Sequence, residues 1–105
     1  FNREGASFDR GETFSGVDYE TGLRAVEALR EVFPDTAGGP TLAQTALRWI
    51  LMEPAVSCVI PGASREFQAR DNAAASELPA LTAEQMAAVR EVYDKYIRAW
   101  VHPCW

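Results

Sequence analysis

Apolar residues recur every three or four positions at Tyr19, Leu23, Val26, Leu29 and Phe33, the spacing of one helix face, and Asp18 stands where an N-cap belongs. This predicts a helix over 18–33. Pro34, Gly38, Gly39 and Pro40 then break the period, and Thr41 followed by Gln44 carries a capping-box signature for a second helix over 41–52. Leu42, Ala46, Leu47, Trp49, Ile50 and Leu51 cover more than one of its faces, so it is expected to be largely buried, with Trp49 in the core. After Pro54 comes a run that is apolar at almost every position and rich in β-branched residues: Val56, Ser57, Cys58, Val59, Ile60. Such a run predicts a strand over 55–61 buried on both faces, as in a parallel sheet, with Cys58 as a small buried hydrophobe.

Ser64 is placed to cap a third helix over 64–75, and Thr82 with Gln85 forms a second capping-box signature opening a last helix over 82–101. Leu81 is positioned to staple against Met86, and Met86, Val89, Val92, Tyr93, Ile97, Trp100 and Val101 form a long apolar stripe. Residues 1–17 have no sustained apolar period and three glycines, which reads as a loop. The lone strand is the anomaly of this pattern. A parallel strand cannot satisfy its backbone groups without neighbours, and no second convincing strand follows, so its partners belong to other sequence or to another copy of the chain. Self-association is therefore one expectation.

Composition narrows the classes. The 105 residues are 48% hydrophobic and 24% charged, the balance of a globular domain with a core. A formal net charge of -5 argues against a general nucleic-acid binder and against a basic patch for membranes. The apolar stretch from Ala55 to Pro61 falls well short of the roughly 20 residues that cross a bilayer, so no membrane span is expected. The chain opens on Phe1 without a signal-like segment, which suggests a cut in a longer chain. Two cysteines, Cys58 and Cys104, fit a reduced cytoplasmic setting, and the single histidine, His102, offers no metal-ligand cluster. Glu27, Arg30 and Glu31 read as a solvated helix face, and His102 as a candidate neighbour of a substrate pocket.

The segment from Ile60 through Pro61, Gly62, Ala63, Ser64 and Arg65 to Asp71 and Asn72 carries the candidate chemistry. A glycine after a buried strand admits a ligand to the backbone, and the following helix offers unpaired N–H groups and the positive end of its dipole. Anions are favoured there. Ser64 adds a hydroxyl, Arg65 a guanidinium, and Asp71 with Asn72 a pair suited to an adenine edge, so the segment suits a phosphorylated nucleotide. The same order of elements also serves many proteins that bind nothing there.

Read as TLAQTALRWILMEPAVSCVIPGASREFQARDN, residues 41–72 resemble the C-terminal part of the aldo-keto reductase family. There a helix with an Ala-Leu-Arg-Trp-like sequence leads into the eighth barrel strand and on to Ile-Pro-Gly-Ala-Ser/Arg; Leu81, Thr82 and Met86 resemble the start of the closing helix. The resemblance implies an α/β fold: the C-terminal fragment of a (β/α)8 TIM barrel, mostly helical with one parallel-type strand in this chain. It also implies NADP as cofactor and a small carbonyl substrate. By position, Gly62 and Ser64 would lie beside the adenosine 2′-phosphate and ribose, Arg65 would add charge to the 2′-phosphate, Gln68 would contact the ribose-phosphate, and Asp71 with Asn72 would meet the adenine amine. Gln68 stands where some branches of the family carry a basic residue.

The resemblance places the catalytic Tyr, Lys, Asp and His of the family on strands near the start and middle of a barrel of about 250 residues. Those segments are not in this sequence, so no catalytic residue is expected here, and Tyr19, Tyr93 and Tyr96, all on predicted helices, do not stand in for the catalytic acid. Two functions follow: the cofactor-binding portion of an NADP-dependent oxidoreductase, inactive by itself, or a stand-alone, non-catalytic helical protein that assembles with itself or a partner.

Overall fold

The structure, a computed structural model, describes residues 16–104. The predicted loop over 1–17 lies outside these residues except for Gly16 and Val17. The chain divides into two units, one made by α1 (Tyr19–Val32) with the C-terminal helical segment, the other by residues 33–83.

In the first unit, Asp18 caps α1: its Oδ2 accepts from the Thr21 amide at 3.0 Å and from the Thr21 hydroxyl at 2.9 Å. The Thr21 amide, then its hydroxyl and more weakly Arg24, hold the Asp18 carboxyl below its ordinary value. Ala25 is buried, while Tyr19, Leu23 and Val26 remain exposed.

The predicted continuous helix over 82–101 is interrupted. Helix α4 (Ala83–Val92) runs into a π-helical turn at Tyr93–Ile97, followed by α5 (Arg98–Val101) and a 3-10 turn at His102–Cys104. The Arg98 N–H donates to the Tyr93 carbonyl five residues back, the widened ring of a π turn. Helix α1 packs against this turn. An apolar repeat does not announce such an insertion, because the stripe resumes beyond it.

In the second unit, α2 (Leu42–Leu51) begins at a complete capping box: the Gln44 N–H donates to Thr41 Oγ1 at 3.2 Å, and the Thr41 N–H to Gln44 Oε1 at 3.0 Å. Gly38, at a φ of 75°, supplies the left-handed residue in the preceding turn. The buried, two-sided α2 expected from its apolar residues is not what the structure shows. Thr45 alone among its residues is buried, and Trp49 is 43% exposed instead of lying in the core. Within the unit α2 meets α3 (Glu66–Ala74) and the 3-10 turn at Ala75–Glu77, which cover one side only.

The strand expected over 55–61 does not form. Among the described residues there is no β-strand, Cys58 is exposed, and Ile60 is 91% exposed. The last backbone bond into this run is from the Val56 N–H to the Glu53 carbonyl, at 2.9 Å. A strand exists only through a ladder with a neighbour, and the described residues supply none.

Candidate functional site

The candidate residues all belong to the second unit. Helix α3 opens at Glu66, not 64, with Arg65 as N-cap in an extended conformation (φ −137°, ψ 149°). Ser64 lies one residue before the cap: the first helical carbonyl is that of Arg65, which accepts from the Gln68 and Ala69 N–H at 3.1 and 3.3 Å, while Ser64 Oγ donates to Gln68 Oε1 at 3.1 Å. The same Gln68 oxygen accepts from the Ser64 N–H at 2.9 Å and from the Arg65 N–H at 3.0 Å. Three donors of the loop therefore end on one amide oxygen of the helix.

One turn further along, Asn72 Nδ2 donates to the Gly62 carbonyl at 3.2 Å. Gln68 and Asn72 are four residues apart, on one face of α3, and grip the loop 62–65 at its two ends. Asp71 is tied through its backbone: Gln44 Nε2, on α2, donates to the Asp71 carbonyl at 2.9 Å. The structure thus brings Gly62, Ser64, Arg65, Gln68 and Asn72 into one bonded cluster and leaves the Asp71 side chain exposed beside it.

Two features of the cluster suit an anion. The Arg65 guanidinium has no ion-pair partner among the described residues, whereas Glu66, the acid of the first turn, is paired with Arg70. Gly62 has ordinary backbone torsions, and a Cβ there would meet nothing within 4 Å. Neither conformation nor packing among these residues calls for glycine at 62, so the open space in front of its backbone is what the glycine provides.

Three residues support the unit beyond what the sequence pattern indicates. Gln44, a capping residue by its pattern, also sends its side-chain nitrogen to α3. Arg48 Nε donates to the Leu78 carbonyl at 2.7 Å, and the Leu81 N–H to Met52 Sδ at 3.2 Å. The free amide nitrogen of a capping Gln was the available signal for the first; the other two join residues 29 or 30 apart and carry no local signature. His102 stands against Tyr93, whose hydroxyl lies 3.0 Å from Nδ1.

Among the described residues no helix is long and apolar enough to cross a membrane. The family model for the aldo/keto reductase family matches residues 1–94. An uncharacterized oxidoreductase of Bacillus subtilis (strain 168), YqkF, is 35% identical over 77 residues, which cover 73% of this chain and 24% of the relative. A probable voltage-gated potassium channel subunit beta of Arabidopsis thaliana is 43% identical over 61 residues, 57% of this chain and 18% of the relative. The chain spans about a quarter or less of the length of these curated relatives. No solved structure matches. The matched span takes in both capped helices and the clamped loop between Gly62 and Asn72, and the chain belongs to the aldo/keto reductase family, whose fold is a TIM barrel.

Proposed function

We propose that this chain is the C-terminal, cofactor-binding portion of an NADP-dependent oxidoreductase that moves a hydride between the cofactor and a small carbonyl or alcohol. The observation that carries the reading is the loop 62–65, bonded at both ends to α3, with the Arg65 guanidinium at the helix start in no ion pair among the described residues. Family membership supplies the class, oxidoreductase chemistry with a nicotinamide nucleotide. The cofactor, when bound, supplies the hydride.

This chain's residues bind and orient. Gly62 leaves its backbone open to close approach, Ser64 and Arg65 lie beside the adenosine ribose and 2′-phosphate, and Gln68 stands next to that anion. The Asn72 amide nitrogen is held by the Gly62 carbonyl, which leaves Oδ1 to accept from the adenine amine, with the exposed Asp71 carboxylate as its neighbour. The proton donor for the carbonyl oxygen lies elsewhere in the complete enzyme, so the 105 residues alone bind without turning over. In this reading Val56–Ile60 is a barrel strand that pairs with neighbours from the remaining sequence, and the exposed thiol of Cys58 suits a reduced cytoplasmic setting.

Equilibrium titration of the full protein with NADPH and NADH tests the reading. Tighter binding of NADPH is expected; binding of neither nucleotide refutes it.

A further inference from the structure

We propose that Met52 is a redox-sensitive latch: two-electron oxidation of its thioether by a peroxide releases the segment 78–81 from α2. The segment is held through sulfur. The Leu81 N–H donates to Met52 Sδ at 3.2 Å in a half-buried setting, and Met52 is the C-cap of α2. A thioether is a weak acceptor, and an oxidisable one.

Met52 is the last of three ties. Gln44, Arg48 and Met52 stand four residues apart, so the helical period aligns them along one side of α2. Gln44 Nε2 donates to the Asp71 carbonyl at 2.9 Å, Arg48 Nε to the Leu78 carbonyl at 2.7 Å, and Met52 Sδ accepts from the Leu81 N–H. The stretch from Asp71 to Leu81 is therefore fastened to α2 at three successive turns. Peroxide converts the thioether to a sulfoxide, and the amide and guanidinium of the other two ties have no comparable step. Losing Met52 frees the end of the stretch and leaves the ties at Asp71 and Leu78 in place.

The peroxide itself balances the step. A sulfur lone pair attacks one peroxide oxygen, the O–O bond breaks and an S–O bond forms; the proton left on the new oxygen passes to the departing hydroxide, which leaves as water. Sulfur is oxidised by two electrons and the peroxide is reduced by two. The product carries a polar S=O on a side chain that packed as an apolar one, and burying that group without a donor is costly. Because sulfur and amide already stand at hydrogen-bond distance, the added oxygen cannot enter between them unless one of them moves. The sulfoxide turns toward water, and the Leu81 N–H is left to solvent.

The test treats the full protein with hydrogen peroxide at levels that convert free methionine, then with dithiothreitol to reduce oxidised cysteines. Peptide mass mapping locates the added oxygen, and amide hydrogen exchange is followed at Leu81. Oxidised Met52 is expected, with exchange at Leu81 faster by about fivefold or more and restored by methionine sulfoxide reductase. Met52→Leu keeps the apolar volume without the sulfur, so exchange at Leu81 should start faster and no longer respond to peroxide. Met86→Leu, which removes the other methionine of this sequence, should leave the response intact. A Met52 that stays unoxidised, or exchange at Leu81 that is unchanged or slowed once Met52 carries its oxygen, overturns the proposal. So does a peroxide response at Leu81 that survives Met52→Leu or disappears in Met86→Leu.

Discussion

Asn72 donates its side-chain amide to the carbonyl of Gly62, ten residues earlier, at 3.2 Å, and so fastens the start of the loop to the second turn of the helix that follows it. This bond sets both the place of the loop and the face of the Asn72 amide left for a ligand. Replacing Asn72 by Ala removes a neutral hydrogen bond, worth about 1 kcal/mol, together with the adenine contact proposed above. NADPH and NADH share the adenine, so both should weaken by a similar factor, about fivefold or more. Isothermal titration with the two nucleotides measures this, and a loss confined to NADPH would place Asn72 at the 2′-phosphate instead.

Arg65→Ala should act selectively. The 2′-phosphate distinguishes the two cofactors, and the Arg65 guanidinium has no ion-pair partner among the described residues that would divert it. A charge-assisted contact is worth roughly 1.5 to 3 kcal/mol, so NADPH affinity should fall on the order of tenfold to a hundredfold while NADH changes little. Equal losses for the two nucleotides would show that this helix start does not read the phosphate.

The two partners of the capping box on α2 should part company. Thr41→Ala deletes the oxygen that accepts from the Gln44 N–H, a cap worth about 1 kcal/mol, and should lower thermal stability with nucleotide affinity unchanged. Gln44→Ala loses both its bond to the Thr41 N–H and its tie to the Asp71 carbonyl, so it should lower stability and weaken nucleotide binding together. Melting curves beside titrations of the same preparations separate the two, and full affinity in Gln44→Ala would show that the α2 tie does not support the site.

Asp18 gives a pH dependence with a definite sign. Its carboxyl is held below its ordinary value in the folded chain, chiefly by the Thr21 N–H, so its charged form stabilises the fold. That contribution is present above the ordinary Asp value and is lost as pH falls through the lowered, folded one. Asp18→Asn retains a capping oxygen without the titration, and should flatten the acid limb of stability against pH. Thermal melts of both forms from neutral to acidic pH check it; an identical acid limb would remove Asp18 as its source.

Local chemistry was legible in the sequence. Asp18 and the Thr41–Gln44 pair cap their helices, and the proline and glycine cluster from Pro34 to Pro40 separates α1 from α2, because a cap or a break is decided within about three residues of chain. The family motif from Val56 to Asn72 was legible for the same reason, as a run of neighbouring residues. Tertiary structure decided the rest. Val56–Ile60 has strand composition but no ladder, and Trp49 and Cys58 have apolar surroundings in sequence but no layer to cover them, since pairing and burial both need a partner that no local pattern contains. The bond from Gln44 to the Asp71 carbonyl joins residues 27 apart. Contacts of that reach are set by how helices pack, and only the folded chain brings them together.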